Sequence, residues 1–103
     1  MSHEWTMIVY TSPVDGREEE YNAWYDDIHL PEFSALPGVI TGRRFKVISQ
    51  APDAKPTYAA IYELSGDPAG VFAAMNAGIK DGTVRMSDAI DPASITMTTL
   101  QPR

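Results

Sequence analysis

Residues able to carry out acid–base chemistry are concentrated in one short segment, residues 22–32, with the sequence NAWYDDIHLPE. His29 is one of two histidines in the chain, and an imidazole titrates near neutrality, so it can accept and return a proton. Tyr25, four residues earlier, can donate a phenolic hydrogen bond, and Asp26, three residues earlier, can orient the ring or raise its pKa. These three are the candidate catalytic residues. The alternative is structural, with His29 capping the last carbonyls of a helix and Asp26 as a solvated neighbour.

A second candidate group, for substrate binding, begins with the adjacent arginines Arg43 and Arg44. They lie in a predicted strand, where successive side chains point to opposite faces, so one of them must enter the interior or a dimer interface. A partly buried guanidinium needs a carboxylate partner, which can be Glu32, another acid of the protein, or an acidic ligand. Three aromatic residues could also line a pocket, although packing also explains each of them: Trp24, Tyr10 and Tyr62.

The composition excludes several classes of protein. The chain has 103 residues, a net charge of −6 and no cysteine. The net negative charge argues against nucleic acid or an anionic membrane as partner. The absence of cysteine from the sequence excludes disulfides and thiolate chemistry. No phosphate-binding loop, dinucleotide motif or metal-ligand spacing is present, so neither cofactor nor metal is predicted. We expect one cytoplasmic domain over residues 1–103, without a membrane span.

The hydrophobic patterns predict strands and helices in the order β-α-β-β-α-β, with strands at residues 5–11, 39–48, 57–64 and 94–100. One face of the first helix carries aromatic and aliphatic residues at helical spacing, namely Tyr21, Trp24, Tyr25 and Ile28. Pro31 is expected to end this helix at or just before it, and could open a short extra turn. The pair Asp67-Pro68 begins the second helix, which ends near Gly78. The order is that of the α+β ferredoxin-like fold, a four-stranded antiparallel sheet with both helices on one face.

The two faces of the predicted sheet are both apolar. Residues 5–11 (WTMIVYT) and 57–64 (TYAAIYEL) carry apolar side chains at even and odd positions alike. Because the helices cover only one face, the other face is expected to be buried against a second copy, forming a two-fold homodimer that encloses a pocket. The alternative is a monomer with a solvated, mildly aromatic sheet face.

The segment that carries the candidate residues also resembles a known family. Asn22, the pair Trp24-Tyr25, residues 29–32 (HLPE), Pro37-Gly38 and Arg44-Phe45 resemble the EthD-like branch of the dimeric α+β barrel superfamily. The resemblance implies a homodimer, and a pocket between each sheet and the connection after the first helix. It places the family histidine at His29 and the family aromatic residues at Trp24 and Tyr25. Either Arg43 or Arg44 can match the family arginine.

Three functions follow as hypotheses. The first is a cofactor-free enzyme that isomerises, cyclises, dehydrates or decarboxylates a cyclic or aromatic carbonyl compound in catabolism or secondary metabolism. His29 would be the acid–base group, Tyr25 the donor to a developing oxyanion, and an arginine the anchor for a substrate carboxylate. The second is a non-catalytic, ligand-binding or accessory homodimer. The third, and least favoured, is haem binding with His29 as the axial ligand.

Overall fold

A four-stranded antiparallel sheet with helices on one face forms the protein, as the sequence predicts. The computed structural model describes residues 5–103. The strands are β1 (Trp5–Thr11), β2 (Val39–Lys46), β3 (Tyr58–Leu64) and β4 (Thr96–Leu100), in the spatial order β2-β3-β1-β4. The helices are α1 (Glu18–Trp24), α2 (Leu30–Ser34) and α3 (Pro68–Asp81), with a single 3₁₀ turn at Pro92–Ser94. Within residues 5–103, no helix combines the length and the apolar character that crossing a membrane requires.

The core lies between the sheet and the helices. Met7 and Leu64 are fully buried on the helix-covered face of the sheet, and Tyr21 of α1 is fully buried against it. The opposite face, called here the open face, presents Ile8, Ile61, Phe45 and other side chains of the alternate register. Both faces therefore carry apolar side chains, as the sequence pattern indicates, but on the open face polar residues such as Arg43 and Glu63 lie among them.

A wide turn at Tyr25–His29, called here the π turn, joins α1 to α2 without a break. The backbone N–H of Leu30 bonds the carbonyl of Tyr25, five residues back, instead of the usual four. Proline clashes with the carbonyl four residues before it and lacks an N–H, and widening the preceding turn relieves both problems for Pro31. The expected helix end at Pro31 is therefore wrong, and the expected extra turn is α2. The added residue also shifts the buried face, so His29 is buried whereas Ile28 is only half-buried.

Strand β2 places the side chains of Arg43 and Arg44 on opposite faces of the sheet. The strand is shorter and less regular than predicted. It ends at Lys46 rather than Ile48, and its pairing with β3 shifts register between Val39 and Thr41. This bulge brings Val39 opposite Leu64, whereas strict alternation would place Val39 on the face of Arg43. Strand β4 likewise begins at Thr96, two residues later than expected.

Helix α3 begins as predicted and ends one turn later than predicted. The Asp67 side chain accepts from the Ala69 N–H at 2.9 Å, as a capping carboxylate should. The helix continues through Gly78 to Asp81, and Gly82 ends it with φ +89°. Gly78 was expected to end the helix, but it serves packing, because a Cβ there would lie 2.6 Å from a methyl group of Val84.

Gly42 of β2 gives a testable measure of the packing between the sheet and α2. A Cβ at Gly42 would lie 2.8 Å from the Tyr62 ring and 2.5 Å from Ser34 Oγ, whereas one at Gly70 of α3 would meet nothing within 4 Å. We expect Gly42→Ala to lower the free energy of unfolding by about 1–3 kcal/mol, because the buried ring must move. The matched Gly70→Ala should raise it by about 0.5–1 kcal/mol, because alanine favours a helix. Urea unfolding of both variants is the measurement, and equal effects would contradict this account of Gly42.

Candidate active site

His29 is held in a shell of aromatic rings. Its imidazole is buried and stacks on Trp24, with ring centroids 4.8 Å apart and planes at 24°. Tyr25 meets it edge-on at 5.1 Å and 87°, and Phe33 of α2 lies 6.2 Å away. Its Nδ1 is buried and meets no hydrogen-bond partner among residues 5–103. One ring nitrogen is thus left without a protein partner, which is uncommon for a buried polar atom.

Burial lowers the pKa of His29 below its ordinary value of 6.5. Contact with the Arg85 backbone and the negative charge of Glu32 act in the opposite direction, but burial is the larger effect. The imidazole is therefore neutral at physiological pH. A neutral imidazole can accept a proton, whereas an imidazolium cannot.

An apolar cavity of about 210 Å³ lies beside His29. The inner strand β1, the π turn, helix α3, the segment after α3 and the strand β4 all contribute to its wall. Aliphatic and thioether side chains make most of the lining, with one imidazole, one phenol and one threonine as the groups able to hydrogen-bond. The lining residues are Val9, Thr11, Tyr25, His29, Met75, Ile79, Met86, Ile90, Ile95 and Met97.

Tyr25 joins the cavity to a second group of polar residues. It lines the cavity, and burial raises its pKa to about 12, so its hydroxyl stays protonated and can donate. Burial, and next the neighbouring Tyr25 phenol, also raise the pKa of Tyr62. The Tyr62 hydroxyl is buried and meets no hydrogen-bond partner in the described part of the chain. These phenols can supply protons or hydrogen bonds but not negative charge.

Arg44 enters the helix-covered face of the sheet, where the protein itself neutralises it. Its side chain is only 9% exposed, and it donates to Asp26 at 2.8 Å and to Asn22 at 2.9 Å. The guanidinium also lies over the rings of Tyr25 and Tyr58, at 4.3 and 5.0 Å from their centroids. Asp26 therefore binds Arg44, and no hydrogen bond or ion pair joins it to His29 within residues 5–103. Arg44 is thus paired with a carboxylate of the protein, which is one of the alternatives expected from the sequence.

Two predicted substrate-binding residues lie on the open face, away from the cavity. Arg43 packs over the Phe45 ring at 5.0 Å, and Tyr10 is 38% exposed. Strand alternation puts both on the side of the sheet that the helices leave uncovered. Glu32, the other proposed partner for an arginine, binds Arg85 at 2.8 Å.

The structure thus divides the predicted site residues into three groups. The first group is His29 and Tyr25, which both line the cavity, and Trp24, whose ring stacks on His29. The Trp24 indole N–H donates to the Arg85 carbonyl at 3.1 Å. A neighbouring group on the same face of the sheet contains Arg44, Asp26 and Tyr62. Arg43 and Tyr10 form the third group, on the open face.

Sequence reasoning missed the far wall of the cavity. Met75 and Ile79 come from α3, and Ile95 and Met97 come from the last strand and the residue before it. The only local signal was the spacing of four between Met75 and Ile79, which places both on one side of α3. Nothing in the sequence relates that side to His29, which is 46 residues earlier than Met75.

The unequal burial of the two arginines predicts unequal effects on stability. Arg44→Met should lower the free energy of unfolding by about 2–3 kcal/mol, because it removes two charge-assisted hydrogen bonds and the contacts with the rings. Arg43→Met, the same substitution one residue earlier, should cost less than about 1 kcal/mol, because only an exposed contact with Phe45 is lost. Urea unfolding measures both. A larger effect at Arg43 would mean that the faces of β2 have been assigned wrongly.

Comparison with known proteins shows similarity at the level of the fold. No protein-family model matches the chain, and no match to it is found among the curated proteins. Among solved structures, an EthD family protein from Bacillus halodurans is 15% identical, with a TM-score of 0.61, over 96% of this chain and 99% of that one. HapK from Hahella chejuensis is 17% identical, with a TM-score of 0.65, over 96% and 92% of the two chains.

A third similar structure is that of the heme-degrader MhuD from Mycobacterium tuberculosis, which has two hemes bound in its active site. It is 11% identical, with a TM-score of 0.64, over 95% of this chain and 94% of that one. Identities this low establish the fold and not the activity. The resemblance predicted from residues 22–45 is therefore confirmed at the level of the fold: this chain shares a ferredoxin-like α+β fold with an EthD family protein and with HapK.

Proposed function

We propose that the protein is a cofactor-independent acid–base enzyme, with His29 as the base and Tyr25 as the donor, acting on a cyclic or aromatic carbonyl compound. The observation that carries the proposal is the buried Nδ1 of His29, which has no protein partner on a ring that lines an apolar cavity. A neutral imidazole in such a place is suited to removing a proton from a weak carbon acid.

The reaction begins with transfer of a proton from the carbon beside the ligand carbonyl to the imidazole. The electrons of the broken C–H bond form a C=C bond, and those of the carbonyl π bond move to its oxygen, giving an enolate. The Tyr25 hydroxyl stabilises that oxygen by donating a hydrogen bond. The imidazolium then returns the proton to the same carbon or to a conjugated one, and the second outcome is an isomerisation. Atoms and charge balance without an oxidant or a reductant.

Proton exchange tests this proposal without knowledge of the natural substrate. Wild type is incubated in D₂O with a panel of cyclic and aryl ketones, and loss of the α-proton signals is followed by NMR. His29→Gln should slow the catalysed exchange by about 10²–10⁴-fold. Tyr25→Phe, which keeps the ring and removes only the hydroxyl, should slow it by about 10²-fold. In wild type the rate should rise with pH through a pKa below 6.5 and then level off, because only neutral imidazole accepts the proton.

Circular dichroism melting provides the control, because a variant that unfolds would also lose exchange. Folded His29→Gln with the exchange rate of wild type would refute the assignment of the base. Wild type that binds a ketone but exchanges no proton would instead support the non-catalytic, ligand-binding hypothesis.

We also propose that the functional unit is a homodimer joined through the open face. Ile8 and Ile61 occupy the two inner strands of that face, with Tyr10, Phe45 and Leu100 around them, and the last three are 38%, 38% and 47% exposed. A group of exposed apolar side chains of this kind is normally covered, and a second copy with its own open face is self-complementary to it.

Two isoleucine-to-lysine variants test the dimer. Ile61→Lys places a charge in the middle of the open face and should convert the dimer to a monomer, because a buried unpaired ammonium is costly. Ile48→Lys makes the same change at a position that is 90% exposed and outside the sheet, and it should remain dimeric. Light scattering coupled to size-exclusion chromatography gives the mass. Monomeric wild type, or dimeric Ile61→Lys, would exclude this interface.

Haem binding is a poorer fit to the same residues. The cavity of about 210 Å³ is smaller than the roughly 300–1,000 Å³ that accommodates drug-sized ligands, and haem is larger than most of these. No arginine or lysine lines it to pair with the two haem propionates. The His29 ring is also packed flat against Trp24 rather than projecting as an axial ligand would. These three features favour a smaller ligand than haem for this cavity.

A further inference from the structure

We propose that the cavity beside His29 selects neutral molecules with a single aromatic ring, and that it discriminates against carboxylates and fused rings. This deepens the proposed function by naming the ligand class of the same cavity. It reverses the expectation that an arginine would anchor an acidic substrate.

The charge of the lining supports a neutral ligand. None of the ten lining residues is a lysine, arginine, aspartate or glutamate. The two arginines that contact Tyr25 and His29 are already paired, Arg44 with Asp26 and Arg85 with Glu32, each at 2.8 Å. A carboxylate in the cavity would lose its water and find no cation to replace it. Above the lowered pKa of His29, the imidazole supplies no positive charge either.

The volume of the cavity supports a single ring. A dry apolar cavity of about 150 Å³ is sufficient for benzene. The cavity here, at about 210 Å³, leaves room for two or three further heavy atoms, such as an acetyl substituent. A second fused ring would extend past this volume to the exposed side chains of Met86 and Met97, and part of its apolar surface would stay in water.

Methionines on three sides favour an aromatic ring over an alicyclic one. Met75, Met86 and Met97 all line the cavity, from α3, the segment after it, and β4. Thioether sulfur makes favourable contacts with aromatic rings, and the unbranched side chain adapts to ring substituents. Met86 and Met97 are 45% and 41% exposed, so they form the rim through which a ligand would enter.

Direct binding tests the proposal with three probes of known chemistry. Acetophenone is neutral with one ring, benzoate is its closely matched anion, and 2-acetonaphthone adds a fused ring. Calorimetry at a pH of about 8, where the imidazole is neutral, should give acetophenone a Kd at least about tenfold lower than those of the other two. Met97→Lys adds a cation at the rim and should tighten benzoate binding by at least about tenfold. Ile48→Lys adds the same charge away from the cavity and should leave all three affinities unchanged.

The possible results separate this inference from the proposed catalysis. Absent acetophenone binding, or equal affinity for benzoate or 2-acetonaphthone, would overturn the ligand class. Acetophenone that binds as expected but keeps its methyl protons in D₂O would uphold the ligand class and count against the catalytic role of His29.

Discussion

One extra residue in the turn Tyr25–His29 determines which side chains reach the sheet. In a regular helix, Ile28 would lie near the centre of the buried face that contains Tyr21, and His29 would lie at the edge of that face. With the wide turn before Pro31, His29 is buried and Ile28 is half-buried. Phe33 of α2 is also buried, in the same core. The wide turn thus moves the imidazole from the edge of the buried face toward its centre, where His29 and Tyr25 form part of the cavity wall. Wide turns of this kind are frequent at functional sites.

Tyr25 is the residue through which the scaffold and the site are connected. The Arg44 guanidinium lies over its ring at 4.3 Å, and its edge meets the His29 imidazole at 5.1 Å. Arg44 in turn binds Asn22 of α1 and Asp26 of the π turn, so one strand residue holds both the helix and the start of the turn against the sheet. Asp26 is 57% exposed, and an ion pair so open to water contributes little by itself. The contribution of Arg44 comes instead from its contacts with the rings and its hydrogen bond to the Asn22 amide, while its Nε has no hydrogen-bond partner among the described residues.

The parts of this molecule that follow from local rules were predictable from the sequence, and those set by distant contacts were not. The alternation of side chains along a strand correctly predicted that one of the two arginines points to the interior. The pair Asp67-Pro68 correctly predicted the start of α3. The π turn escaped prediction because a proline inside a helical pattern is compatible with an end, a kink or a widened turn. The cavity escaped because Val9 and Met97 become neighbours only when β1 pairs with β4. His29 and Tyr25 were identified by residue type and by family resemblance, neither of which reveals that Asp26 binds elsewhere.

The absence of charge from the cavity lining constrains any chemistry that occurs there. An enolate formed in apolar surroundings is stabilised mainly by the nearest charge of opposite sign, and here that charge is the imidazolium produced in the same step. The two ions would form as a pair, and their attraction offsets the cost that burial imposes on each. The Tyr25 phenol, with its pKa raised to about 12, adds a hydrogen bond without surrendering its proton at neutral pH. A site of this design favours a proton transfer that begins and ends with neutral partners, which is the behaviour expected of an isomerase rather than of an enzyme that must hold a charged substrate.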